Sequence, residues 1–340
     1  MKNILALIPV GILGIAAIWG NNLNATSEGY MSKIYTNAMK GIMCVIIMYV
    51  HIPSKFTNPI QDIIGSFAYV GVFAFFMISS FGCRTSVEKN PNYLNGFWRK
   101  RILALFIPAI LINIVSFCVK LLVLNIFEMR GLYAFNQYIY AIIVAYFIFW
   151  LVWKTENIPV SKKNWIVGVI CLLCSLLTYI SPIKLFFIWP TESIGFIYGL
   201  ILYHHKKSII NQLENNRFIK IIALFLLSAI LGVLYMRFKS FFFIGGYVLR
   251  VLLAGVLLLL FSAITMNISF EGKLIQRLGN SSYEFYLGHL AVISIIARIF
   301  PQISSGAFIT IVAFVTLIIA VLISKSSNII IDALLKTRKD

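Results

Sequence analysis

An ionisable side chain near the middle of a membrane-spanning helix costs at least about 2.5–3.5 kcal/mol to insert, so each such residue is a candidate for chemistry. Six stand out here: Lys40 and His51 in AMKGIMCVIIMYVHIP, Glu192 in WPTES, Arg250 in a long apolar run, and Glu284 and His289 in NSSYEFYLGHL. An imidazole titrates near 6.5, so His51 could take a proton from a hydroxyl at neutral pH and return it. Pro53 follows closely and ends a helix there, which lets the ring reach either the interface or the bundle interior. The competing reading is an interfacial histidine satisfied by water or a backbone carbonyl. Glu192 could orient His51 or bind a sugar hydroxyl; a solvated interfacial carboxylate fits equally. Arg250 could hold an anionic group, or form a structural intramembrane pair with such a carboxylate.

A second chemistry gathers at the other end. Lys40 precedes His51 by eleven residues, about 16 Å along a helix axis. Arg84, Arg99, Lys100 and Arg101 bracket a loop that meets Lys40, with His289 expected at the same depth. Such a cluster suits phosphates, and a pantetheine-linked nucleotide entering from the cytoplasm would present them there. Topology signalling alone accounts for Lys89 and Lys100 but less well for Lys40, which sits on an apolar helix face. His204 and His205, beside Lys206 and Lys207, read as solvated loop residues. All five cysteines fall in or at the ends of apolar segments, and the Cys171–Cys174 pair has no histidine or acid beside it. Neither a disulfide framework nor a metal site is expected.

The elements that must position these residues are spanning helices. Of 340 residues, 60% are hydrophobic and 12% charged, with a mean hydropathy of +0.92, which excludes a water-soluble fold. Apolar runs at 4–20, 37–52, 63–82, 102–123, 138–153, 165–180, 186–204, 218–236, 243–267, 283–300 and 306–325 predict an all-α, polytopic bundle of ten or eleven transmembrane helices. The first run lacks a small-x-small cleavage site and reads as a retained helix rather than a signal peptide. The net charge of +18 resides mainly in alternate short loops and so reports topology rather than nucleic-acid binding. It places the C-terminus in the cytoplasm and, with eleven crossings, the N-terminus outside.

The residues also resemble a known family. AMKGIMCVIIMYVH, YVGVFAFFMISSFGCR, NGFWRKRILALFIP, SIGFIYGLILYHHKK and LGNSSYEFYLGHL resemble, in order, the characteristic segments of the acyltransferase-3 family of bacterial integral-membrane acyltransferases. The resemblance implies an acyltransferase domain over 37–325, preceded by an extra helix and connection at 1–36 and followed by a basic cytoplasmic tail at 326–340. It implies His51 as essential acid, base or transient acyl carrier, with Glu192 its possible partner. Lys40, Arg84, Arg99 and Arg101 would bind the donor, and Arg250, Tyr283, Tyr286 and His289 would line the central cavity. The implied co-substrate is acyl-CoA, most often acetyl-CoA, with no tightly bound cofactor and no metal. The implied acceptor is a sugar hydroxyl of a cell-surface polysaccharide or its lipid-linked precursor, reached directly at the bacterial inner membrane, since no hydrolase-like domain follows the last helix. Three departures bear on this: Lys40 stands where the family has arginine, Ser79-Ser80-Phe81 replaces a Ser-Gly-Phe turn, and Ala104 replaces a second arginine. A glycan-lipid flippase using His51, Glu192 and Arg250 for coupling is the alternative from another class, although repeated halves are not evident. A polysaccharide polymerase would be expected to carry a large outer loop, and none of the outer loops is long.

Overall fold

The computed structural model describes residues 4–182 and 189–336, and every regular element among them is helical. In chain order these are α1 (Ile8–Ile18), α2 (Lys33–Val50), α3 (Pro59–Ser66), α4 (Ala68–Lys89), α5 (Phe97–Leu124), α6 (Arg130–Tyr133), α7 (Gln137–Lys154), α8 (Val160–Ile180), α9 (Pro190–Glu214), α10 (Arg217–Phe238), α11 (Arg250–Thr265), α12 (Lys273–Asn280), α13 (Ser282–Ile299) and α14 (Ser305–Lys336).

Among the described residues, seven stretches are long and apolar enough to cross a bilayer: Pro59–Lys89, Tyr93–Leu124, Arg130–Lys154, Val160–Ile180, Arg217–Phe238, Ile244–Thr265 and Ser305–Lys336. The helices α2, α9 and α13 have 18, 25 and 18 residues, also enough to span, but they carry the polar side chains. Their lower hydropathy follows from position. They form the centre of the bundle, with α4 packed between α2 and α9 and α13 against α2, so their polar residues face other helices rather than lipid. At the opposite extreme, Ser228 is the one buried residue of α10, while Phe225, Leu226, Ile230 and Val233 lie exposed. A helix with that surface is stable against hydrocarbon, not water. The chain is a multi-pass membrane protein.

Close approach of helix backbones is written into a few glycines. On α9, a Cβ at Gly195 would collide with the Phe73 carbonyl, and one at Gly199 with the Met77 carbonyl and the Ser80 hydroxyl. This spacing of small residues at i and i+4 draws α4 and α9 together as membrane helices commonly do. The junction of α2 with α12 is equally tight: a Cβ at Gly41 would come within 2.9 Å of the Gly279 backbone nitrogen. Asn37 Nδ2 donates to Asn280 Oδ1 at 2.7 Å across the same junction.

The apolar N-terminal segment runs antiparallel to α2 over its full height. At its start the Ala6 carbonyl accepts from the Tyr49 hydroxyl at 2.6 Å. At its end Asn21 Oδ1 accepts from the Gly272 amide at 2.6 Å, next to α12. Residues 326–336, expected as a tail, instead continue α14 as helix to Lys336. The sequence SSNIIIDALLK contains neither glycine nor proline to stop it, and the Leu334 carbonyl accepts a hydrogen bond from Arg99.

Candidate active site

Both α2 and α13 run from a basic end of the bundle to the end that carries His51. Gly41 and Gly279 touch, and each histidine, His51 and His289, stands ten residues beyond its glycine. The two rings therefore meet, with centroids 5.0 Å apart. The spacing of NSSYEFYLGHL predicts His289 level with Lys40, near the basic cluster. The register of α2 against α12 and α13 moves it to the histidine end. His289 is fully buried, and neither ring nitrogen forms a hydrogen bond of good geometry, although the carbonyls of Phe285 and Tyr286 approach from one turn back.

Two cavities lie along this axis. The one at the histidine end, about 300 Å³, is lined by His51, Tyr69, Trp189, Glu192, Tyr235, Arg250 and Tyr286, among others. His51 caps α2, with its backbone N–H donating to the Met48 carbonyl at 3.1 Å, and its side chain is exposed. The turn is held from below: Gln61 Nε2 donates to the Tyr49 carbonyl at 2.5 Å, and Gly65 of α3 packs against the backbone of Tyr49 and Val50. Glu192 shares the cavity but does not hydrogen-bond His51. Its Oε1 pairs with Arg250, its Oε2 accepts from the Thr191 hydroxyl at 2.7 Å, and the Arg250 guanidinium stacks 4.6 Å over the Tyr69 ring. Of the readings open for Arg250, the ion pair with Glu192 is the one observed. A π-helical turn, Ile244–Leu249, leads directly into Arg250, a distortion common next to functional residues.

The second cavity, about 310 Å³, lies at the basic end and is far more polar in its walls: Lys40, Ser79, Arg101, Tyr138, Tyr146, Asn280, Tyr283, Glu284, Ser327 and Asn328 contribute, together with Tyr286. Pro108, inside α5, also faces it. Tyr286 thus borders both cavities, its hydroxyl donating to Asn136 Oδ1 at 3.2 Å. Tyr283 donates to the Leu105 carbonyl at 3.0 Å.

The expected donor-binding set divides. Lys40 and Arg101 line the basic-end cavity, whereas Arg84 and Arg99 do not. Arg84 is sandwiched between Trp153 and Tyr203, with its guanidinium 4.7 and 4.5 Å from their ring centroids. Arg99 is spent on the end of α14. Arg84 leaves α4 and Arg99 leaves α5 in directions set by those helices, and the aromatic and carbonyl partners they meet come from distant segments. Even Arg101 is partly engaged, donating to Tyr93 Oη at 2.6 Å, Tyr146 Oη at 3.3 Å and Cys83 Sγ at 3.3 Å. Tyr283 and Tyr286 line this cavity, as the resemblance implies, whereas nothing in the sequence assigns Tyr138, Tyr146, Asn280, Ser327 or Asn328 to it. Ser327-Asn328 offered a faint signal, a polar pair followed by an aliphatic run, and Glu284 stood out as ionisable without a role.

With this geometry in place, comparison with known proteins gives one result: a family model described as an acyltransferase domain matches residues 33–325. No curated protein and no solved structure gives a significant match.

Proposed function

Because the chain belongs to the acyltransferase-3 family of membrane acyltransferases, we propose that it moves an acyl group, acetyl above all, from acyl-CoA to a sugar hydroxyl of a cell-surface polysaccharide or its lipid-linked precursor. The observation that carries this reading is the pair of cavities that share Tyr286 as a common wall, one holding His51 and the other Lys40 and Arg101. The basic end faces the cytoplasm of a bacterial inner membrane and admits the donor; the acceptor enters from the far side.

In the reaction the imidazole of His51 removes the proton of the acceptor hydroxyl. The oxygen attacks the thioester carbonyl, the carbon–sulfur bond breaks, and the departing thiolate takes the proton from the imidazolium, which returns His51 to its neutral form. The buried imidazole of His289 packs against His51 and limits the orientations of its ring. The Glu192–Arg250 pair presents a fixed polar wall to the acceptor rather than activating His51. Lys40 and Arg101 meet the donor from the basic end. For the thioester to reach His51, Tyr286 must swing from its bond to Asn136.

Membranes incubated with radiolabelled acetyl-CoA and an acceptor glycan test the proposal, with His51→Ala compared to wild type. Loss of transfer by a factor of about 10² or more is expected for removal of a general base. Equal transfer by both proteins would remove His51 from the mechanism, and no transfer from any acyl-CoA would favour a transporter of glycan-lipids.

A further inference from the structure

Lys40 of α2 and Glu284 of α13 line one cavity, yet neither takes part in an ion pair among the described residues. Opposite charges in a poorly solvated cavity attract strongly, so two that remain apart leave hydrogen-bonding positions on each free for an occupant. Glu284 is 6% exposed. Its Oε1 accepts a long hydrogen bond of 3.4 Å from Ser327, while its Oε2 makes no hydrogen bond of good geometry, although the Glu284 backbone N–H and the Ser324 hydroxyl lie close to the carboxylate. The nearby Ser324 hydroxyl is committed to the Asn280 carbonyl at 3.3 Å. A buried carboxylate oxygen without a donor is costly, and buried polar atoms left unpaired in a native protein call for a ligand or water.

The occupant that satisfies both residues must present an acceptor to Lys40 and a donor to Glu284 at the same depth in the cavity. Phosphate offers acceptors alone and is repelled by the carboxylate. A secondary amide offers its C=O and N–H on opposite edges of one rigid plane. Phe75, Leu105, Pro108 and Ile331 supply apolar walls for the methylene groups that flank such an amide. We propose that Lys40 and Glu284 clamp an amide of the donor's pantetheine arm, with Lys40 Nζ donating to the carbonyl and the Glu284 carboxylate accepting from the N–H. The basic-end cavity then holds the uncharged arm, and the phosphates remain outside the Lys40–Glu284 level, toward Arg101. This rests on acyl-CoA being the donor. It assigns Glu284, which stands between the tyrosines of SYEFY, a role in donor selection.

Equilibrium binding to the purified full chain in lipid nanodiscs, measured calorimetrically, tests the clamp with three probes: CoA, pantetheine and adenosine 3′,5′-bisphosphate. For Glu284→Ala, affinity for CoA and pantetheine should fall by about tenfold or more, the usual consequence of removing a charged hydrogen-bond partner. Affinity for the bisphosphate should be unchanged. Glu284→Gln, which keeps the shape and one acceptor oxygen, should lie between, and it carries the test if the alanine variant does not fold. An equal loss for all three probes, or wild-type affinity for pantetheine in the glutamine variant, overturns the clamp while leaving the donor assignment standing. A wild-type protein that binds none of the three overturns the donor assignment and the clamp with it.

Discussion

At the scale of single residues, the six ionisable groups flagged by their cost of insertion prove to be of three kinds. Glu192 and Arg250 satisfy each other, Lys40 and Glu284 face one cavity unpaired, and His51 and His289 meet ring to ring. That each one is exceptional was legible from the apolar context. Which one meets which was not, because partners 58 residues apart in the chain, such as Glu192 and Arg250, are joined only by packing. The arginines show the same limit. Arg84 stacks between two rings and Arg101 lines the cavity, though both belong to the same basic cluster in the sequence. Arg84→Ala should therefore lower stability by about 1–2 kcal/mol, the loss of a desolvated cation–π contact, and leave the KM for the donor unchanged. Arg101→Ala should raise that KM severalfold, with Arg101→Lys recovering part of the loss. Thermal unfolding and steady-state kinetics on the same preparations separate the two; a raised KM for Arg84→Ala would return that residue to the donor site.

At the scale of elements, hydropathy located the helices well because a spanning segment must satisfy every backbone group internally and present hydrocarbon outward. The same pattern is silent on which helices touch. Small residues decide that for α4 and α9, where Gly199 gives room to Met77 and Ser80. Ser80, which replaces the glycine of the Ser-Gly-Phe turn, is fully buried against this notch. Gly199→Leu should accordingly disrupt the α4–α9 pair and cost at least about 1–3 kcal/mol as an overpacking substitution. Gly232→Ala, at a position on α10 where an added Cβ meets nothing within 4 Å, should be neutral or stabilise by roughly 0.5–1 kcal/mol. Retained fluorescence-detected elution and unfolding temperature in matched detergent measure both. Equal tolerance of the two substitutions would show that the α4–α9 approach is not tight in the protein.

At the scale of the whole molecule, the bundle has two unlike ends. Among the described residues from Lys33 onward, the ten spanning helices alternate in direction, so Lys33 and Lys336 come out on one side and His51 on the other. If the basic end is cytoplasmic, a cysteine introduced at Lys55 in a cysteine-free background should react with an impermeant maleimide added to intact spheroplasts. One introduced at Lys100 should react only after permeabilisation. The reverse pattern would invert the orientation read from the loop charges and, with it, the sides from which donor and acceptor approach.

By itself the sequence determined that this chain is an all-α membrane bundle, because composition and apolar run length are set against the thickness and dielectric of the bilayer. Through its ordered motifs it also determined the family. It marked His51 and Lys40 because a histidine beside a proline and a lysine on an apolar face are costly wherever they are. Tertiary structure alone decided that Arg84 stacks between two rings and Arg99 meets the end of α14, that residues 326–336 are helix, that Glu192 is tied to Arg250, and that His289 lies against His51. These outcomes depend on register and on the direction each side chain leaves its helix. Both are fixed by close contacts between distant glycines, and neither has a period that a linear sequence displays.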